Sequence, residues 1–535
     1  MQNPSLKITS FQPKPNLGLS KFDLDYLLSP EKFNPLIKHQ DYIEQIRAAI
    51  ELRKSFTNRP QLVEAIRDQY KNLPVSISLE NNLIKLKNDN CFTVCCAHQP
   101  CIMGGPLYWL YKILNTISVS QSLKTIFPKF DFVPVYYIGF EDHDFDEINH
   151  IYIFNKHVAW NHASGTAVGK FDTEGLESFI LELLPIFSQN SFAENYLHKH
   201  LDFIKNNQKF TDYYNWFVND LFGHFGLVTI LPDTRYFKQQ IIPLLEKEIQ
   251  QSFISNSCAH ASKILNELGY DSQVNPREIN LFYHDTGGRK RIIKKSDTLF
   301  SLHDDSKSWT IESLLTDINN TPEKFSPNVL FRPLLQESIL PNVAFVGGGA
   351  ELHYWMQLKS TFEFTGIPYP ALIRRSSAFL LDQKLQAKII KSQFDTLAFI
   401  QTEKQLQDEF IQRKQIENPI PNDLIPKISE LLDLLNQHVS CLDQPTHTSI
   451  SGEIHKILKS LDQIENKVAK YIKTKHTNEL NQLLNIREQF YPSGKLQERT
   501  INFLPFFLKV HESLFQEIIN GMNPLNKDFY ILEIT

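Results

Sequence analysis

Long apolar runs are missing from this chain of 535 residues. No stretch approaches the roughly 20 apolar residues that a membrane-spanning helix requires, so no membrane partner is expected. A basic excess is missing too. Lys and Arg number 55 against 60 Asp and Glu, for a net charge of -5. A nucleic-acid binder would carry a basic footprint, so none is expected as a partner. Cysteine is sparse, with six in the whole chain: Cys91, Cys95, Cys96, Cys101, Cys258 and Cys441. That excludes a disulfide framework in a protein of this length. Four of the six crowd one short stretch, where they read as small buried hydrophobes. Without a paired C-x-x-C, a zinc site is disfavoured. The opening residues MQNPSLKITSFQPKP hold no signal-peptide core, so a cytoplasmic location is expected. There is no full P-loop, internal repeat or low-complexity tract.

What is present is the make-up of a globular enzyme, with 42% hydrophobic and 21% charged residues and enough length for two or three domains. The chain is organised around residues 91–154. A short apolar run, Phe92 to Ala97, ends in a loop with Pro100, Gly104 and Gly105. A helical segment follows from Leu107 to about Phe127. A second apolar run, Phe132 to Ile138, stops at the acidic string Glu141, Asp142, His143, Asp144, Asp146 and Glu147. This is strand, Gly-bearing loop, helix, strand, and it predicts an α/β fold with a Rossmann-like parallel sheet. In such sheets ligands bind outside the carboxyl ends of the strands, so the two loaded loops should meet at one crevice.

The rest divides around that unit. Residues 1–90 read as a helical cap, 91–375 as the Rossmann-like core, and 270–328 as an insertion on it. The insertion opens with a predicted hairpin, EINLFYHDTGGRKRIIKK. GLVTILPDTR predicts a strand, Ile242 to Leu268 a helix, and Val343 to Val346 a buried strand. That last strand turns at Gly347-Gly348-Gly349 into a helix from Ala350 to Phe362. Residues 376–490 are long helices. Ile454, Leu461 and Val468 at one position, with Ile457, Ile464 and Tyr471 at the other, make three heptads of coiled-coil type. A helix of about 40 residues at roughly 1.5 Å each would reach roughly 60 Å, which makes a second chain the natural partner and predicts a homodimer. Residues 491–535 return to globular patterning and should pack on the core.

Three constellations carry chemistry. His98 and Gln99, with Gly104 and Gly105, stand after the first strand, where nucleotidyl-transferring domains pack a loop beneath the phosphates. There a His donor and close backbone approach can stabilise developing charge; the bland alternative is a helix-capping His. The acidic string needs a cation, a substrate amine or helix N-termini, because packed like charges repel. Asp142, His143 and Asp144 lie closest to the strand end, and the bland alternative is a solvated helix start. Gly347, Gly348 and Gly349 open a helix whose free N–H groups suit an anion, with Glu351 just inside it. Arg374, Arg375 and Arg332 could pair with phosphate or carboxylate, but surface salt bridges are the commoner fate of such residues. Gln497, Glu498 and Arg499 read as a solvated helix face.

Together these blocks resemble the bacillithiol-biosynthesis BshC family. HQPCIMGGPLYWLYK, GFEDHDFDEINH, FRPLLQESILPNVAFVGGGAELHYW with Arg374-Arg375, and YPSGKLQERTINFLPF carry the likeness in order across nearly the whole chain. One departure stands in the first loop. The family has Gly-Gln-Gln-x-Gly where this chain has Ala97-His98-Gln99-Pro100-Cys101, which moves the loop towards the His-bearing signature of class I aminoacyl-tRNA synthetases. The resemblance implies a synthetase-like Rossmann core with connecting-peptide insertions and an α-helical coiled-coil dimerisation domain. It also implies the last step of bacillithiol synthesis, joining cysteine to glucosaminyl-malate. Adenylation would make ATP or another adenine nucleotide, with Mg, the expected cofactor. His98, Asp142, His143, Asp144 and Glu351 are the expected catalytic set. Gln99, Gly104, Gly105, Gly347, Gly348, Gly349 and Arg374 are the expected nucleotide contacts. Two rival readings differ in class: a metal-dependent hydrolase or transferase built on the acidic–His cluster, and a non-catalytic dimeric scaffold with a vestigial nucleotide site.

Overall fold

The segment CFTVCCAH is buried along almost its whole length, as a strand covered on both faces by helices must be. It runs through the centre of the main sheet in the computed structural model, which describes residues 5–39, 41–141, 144–154, 156–162, 167–285, 288–414, 420–421, 423–511 and 513–535. Eight strands frame the site: β1 (Leu6–Phe11), β2 (Cys91–His98), β3 (Asp131–Ile138), β4 (Val228–Ile230), β5 (Asn342–Gly347), β6 (Ala371–Arg374), β7 (Ser377–Leu381) and β8 (Phe529–Ile534). Strands β2 to β6 form one parallel sheet in the order β6-β5-β2-β3-β4. The pairing of β2 with β3 runs unbroken from Cys91↔Asp131 to His98↔Ile138, so both strands stop at the same level. The connections leave β2 towards β3 and β4, then resume on its other side at β5. The crevice at that reversal is where a parallel sheet of this kind receives ligands.

Among the helices are α1 (Lys21–Leu28), α2 (Tyr42–Arg53), α3 (Leu107–Ile126), α4 (Gly349–Gln357), α5 (Leu424–His438) and α6 (Gln444–Lys475). Helix α3 is buried nearly all round, which is the state of a helix with no polar face, and it packs on β2 and β3. The N-terminal residues are mostly helical as expected, but they begin with β1. Strand β8 lies between β1 and β7, antiparallel to the first and parallel to the second. The return of the C-terminal segment is thus a strand insertion. The hairpin pairs Leu281–Asp285 with Gly288–Lys294, its turn residues Thr286 and Gly287 lying outside the described ones. Three further strands extend it to a five-stranded antiparallel sheet.

Two predicted helices are broken. Ile242–Leu268 divides at Ser252, whose φ of 47° is left-handed, into Ile242–Gln251 and Phe253–Glu267. The helix after the glycine triplet begins one residue early, at Gly349, and gives way at Leu358 to a second one, Lys359–Thr365.

Residues 384–494 form a separate helical unit, while residues 1–383 and 495–535 form the sheet unit. Within the helical unit α6 is 32 residues long, about 48 Å at roughly 1.5 Å per residue, and it packs on α5. Ile454 is buried, but Ile457, Ile464 and Tyr471 are exposed. No helix is long and apolar enough to cross a membrane among the described residues.

Candidate functional site

The His98 turn is shaped by packing. Gly104 and Gly105 both have positive φ, at 75° and 61°. A Cβ on Gly104 would stand 2.5 Å from the Trp109 ring, and one on Gly105 2.8 Å from Cys101 Cβ. These glycines let the turn fold against α3, and both are buried. His98 sits at the end of β2, its ring 5.3 Å from that of Tyr108. Its Nδ1 lies 3.1 Å from the Gln99 carbonyl oxygen and 3.7 Å from Cys101 Sγ. A carbonyl can only accept, so Nδ1 carries the proton and Nε2 presents a lone pair. Burial first, then the charge on Lys112, lowers the imidazole pKa to about 3. His98 is expected from its loop position to donate to phosphate; in this tautomer its Nε2 accepts instead.

The donor is Lys112, inside the motif HQPCIMGGPLYWLYK but not singled out by the sequence. It projects from the second turn of α3 and is 2% exposed. Its Nζ donates to the Ala97 carbonyl at 3.0 Å and to Glu351 Oε2 at 2.6 Å. Glu351 in turn accepts the Gly348 N–H at 2.9 Å. The His98 turn and the glycine triplet therefore meet, with Lys112 between them. Burial alone would raise the Glu351 pKa, but Lys112, His98 and the Gly348 amide together lower it.

The helix N-terminus at the triplet is met from within the chain. A Cβ on Gly349 would stand 2.6 Å from Asp23 Oδ2, so glycine is required for that carboxylate to approach the first turn of α4. Asp23 is held by Arg374, whose Nε and Nη2 donate at 2.6 and 3.0 Å. The triplet thus faces two of the chain's own carboxylates, Asp23 and Glu351, and Arg374 is committed to one of them. A triphosphate does not fit on the triplet in this arrangement. Gly347 packs against Phe345 and Leu352, and its carbonyl accepts the Arg375 N–H at 2.8 Å.

The acidic loop joins the same crevice. Gly139 donates its N–H to the His98 carbonyl at 2.8 Å, and Gln99 Nε2 donates to Glu147 Oε2 at 3.1 Å. Asp142 and His143 lie outside the described residues, and Asp144 is exposed just before the short helix Phe145–Ile148. Glu141, the first carboxylate of the string, is matched by Lys238. That lysine is fully buried, lies 3.8 Å from Asp233, and donates to the Phe325 carbonyl at 2.8 Å. Burial raises the Glu141 pKa even so. Beside Asp233, burial lowers His284 to about 4, and its Nε2 lies 2.9 Å from Ser326 Oγ. Among the described residues no group of three or more His, Cys, Asp or Glu could hold a metal ion.

Two expectations are corrected. Gln497 and Glu498 are not a solvated helix face but are buried. Gln497 Oε1 accepts from Leu380 N at 2.7 Å and its Nε2 donates to Leu380 O at 3.0 Å, so the side-chain amide acts as one more peptide beside β7. Glu498 accepts both terminal nitrogens of Arg375, at 3.1 and 2.7 Å, and the Ser377 hydroxyl at 3.0 Å. Arg374 and Arg375 do not form surface salt bridges; both are buried. Arg332 is half-buried, donating to Gln336 and Tyr354 at 2.9 and 3.0 Å.

A parallel sheet with its polar turns gathered at one crevice, an antiparallel insertion and a helical unit together define a Rossmann-like enzyme of the α/β class. The chain matches two family descriptions end to end. Residues 6–376 match "Bacillithiol biosynthesis BshC, N-terminal Rossmann-like domain", and 378–534 match "Bacillithiol biosynthesis BshC, C-terminal coiled-coil domain". Relatives named "Putative cysteine ligase BshC" include that of Christiangramia forsetii, 35% identical over 95% of this chain and 96% of its own. That of Flavobacterium johnsoniae is 34% identical over 96% and 97%, and that of Cytophaga hutchinsonii 31% over 94% and 95%. The chain belongs to the BshC family of bacillithiol biosynthesis.

Proposed function

We propose that this protein is a ligase that joins the carboxylate of cysteine to the amine of glucosaminyl-malate, the last step of bacillithiol synthesis. The observation that carries the reading is the junction of the His98 turn with α4 through Lys112 and Glu351, at the carboxyl edge of the sheet. The relatives' names supply the substrate class. Amide formation from a free carboxylate is uphill in water, so the acid has to be activated. ATP or another adenine nucleotide, with Mg, is the reagent we assign to that task. With such a nucleotide bound, the cysteine carboxylate oxygen would displace pyrophosphate from its α-phosphorus, and the amine would then displace AMP from the carbonyl carbon and give up one proton. Lys112 is the donor to the anionic oxygens, Glu351 orients the attacking amine, and Asp144 serves the cysteine amine.

The test is incubation of purified protein with cysteine, glucosaminyl-malate, ATP and Mg, with the thiol product read by mass spectrometry. Cysteine-dependent pyrophosphate exchange reads the first half. An active enzyme without exchange would exclude a freely formed adenylate. Stoichiometric zinc or manganese in the purified protein, with no amide product, would favour the hydrolase reading. A strain lacking the gene that still makes bacillithiol would favour the scaffold. We also propose a homodimer through the coiled-coil unit, on the exposed apolar series Ile457, Ile464 and Tyr471.

A further inference from the structure

We propose that Lys112, besides donating to the anion, positions the site by clamping the His98 turn to the first turn of α4 through Glu351. The inference rests on the proposed ligase reading for its kinetic arm only. Three observations support it. Lys112 is a fully buried ammonium on α3, a helix that belongs to neither loop. Its two acceptors lie on opposite sides of the reversal point of the sheet: the Ala97 carbonyl at the end of β2 and Glu351 after β5. The ammonium has three protons and its two acceptors take two, so one N–H remains for an anionic group entering the crevice. Arg59, Arg53 and Arg374 are also buried, but Arg59 bonds the Cys91 carbonyl at the opposite end of β2, Arg53 the Glu337 carbonyl and Arg374 the Asp23 carboxylate.

The clamp also sets the charge of the imidazole. Among the described residues the charged and titratable groups around His98 are Lys112, Glu351 and Arg375, with Cys101 and Tyr108 beside the ring and Glu147 on the Gln99 amide. Glu351 favours the protonated ring, whereas Lys112 and Arg375 oppose it. Removing Lys112 removes one opposing cation, which favours protonation of the ring.

The experiment compares wild type with Lys112→Met, Lys112→Arg and the doubly neutral Lys112→Met/Glu351→Gln in the full chain. The double variant guards against a single variant that does not fold, because it leaves no unpaired buried charge. Histidine-labelled protein, with the His98 resonance assigned by its loss in His98→Gln, gives the imidazole titration. The expected result is a neutral His98 down to about pH 4 in wild type, an upward shift of at least one pH unit in Lys112→Met, and recovery in Lys112→Arg. In the ligase assay Lys112→Met and the double variant should lose about 100-fold or more in kcat, with KM for cysteine moving less, and Lys112→Arg should restore part of it. An unshifted His98 with wild-type kcat in a folded Lys112→Met overturns the proposal; in the double variant, where the two opposing charges leave together, wild-type kcat alone overturns it. Should wild type make no amide product, the ligase reading fails while the titration still decides whether Lys112 controls His98.

Discussion

Replacing Glu498 by alanine tests the network behind the site most directly. Arg375 and Glu498 are 4% and 1% exposed, and their pairing is bidentate. Removing the carboxylate strands a guanidinium in the interior, for which about 3–5 kcal/mol is the usual loss. The sheet unit has about 420 residues. At about 2.1 cal/mol/K per residue its unfolding entropy is roughly 0.9 kcal/mol/K, so Tm should fall by roughly 3–5 °C. Arg375→Met/Glu498→Met removes both charges and should lose less than Glu498→Ala alone. The pH dependence has a defined sign. Burial pushes the Glu498 pKa up, but the Arg375 charge and hydrogen bonds outweigh it and hold the folded carboxyl low. A depressed carboxyl stabilises the fold above its unfolded pKa, about 4.3, and that contribution drains as pH falls below it. Differential scanning calorimetry at pH 7 and pH 4 should therefore show the gap between wild type and Glu498→Ala narrowing in acid. A variant within about 1 °C of wild type at pH 7 would refute the reasoning, since a stranded buried charge cannot be that cheap.

Gly349→Ala should lower stability by about 1–3 kcal/mol, because its methyl group would overlap the Asp23 carboxylate; urea unfolding that matches wild type would contradict the packing described. His98 titrates at about 3, below its unfolded value of about 6.5, so its contribution is complete above pH 6.5 and is lost as pH falls towards 3. His98→Gln should flatten the loss of stability between pH 7 and pH 5 by on the order of 1–2 kcal/mol, and an unchanged slope would argue against a buried neutral imidazole. Ile464→Asp with Tyr471→Asp should give a monomer in analytical ultracentrifugation while the sheet unit keeps its Tm; an unchanged mass would remove the coiled-coil dimer.

Periodicity and turn chemistry made β2, β3 and β5 legible, because local signals are strongest where a strand is buried on both faces and ends at glycine. The break at Ser252 was not legible, since a left-handed serine has no sequence mark that distinguishes it from a helical one. The roles of Gln497 and Glu498 depend on partners more than a hundred positions away, at Leu380 and Arg375. Their local pattern, polar beside polar, is that of a solvated face. Lys112 was hidden for a similar reason. Its neighbours Leu110, Tyr111 and Ile113 mark a core helix, and a lysine there reads as an exception until Glu351 is brought beside it. The heptad series predicted one seam, but α5 packs on α6 within the chain, so only part of the series is left for a partner.

Strand β8 lies in the middle of its three-stranded sheet, with the first strand of the chain on one side and β7 on the other. Leu6 faces Ile534, and the Thr535 N–H reaches the Ser5 carbonyl at 2.8 Å. During synthesis β1 and β7 leave the ribosome without a neighbour to bond, and they remain so while the entire helical segment between Gln383 and Lys495 is made. Closure of this sheet must therefore wait until the whole helical unit has been made. A ribosome that stalls after residue 520 would release a molecule with its helical unit complete and two strand edges open to aggregation.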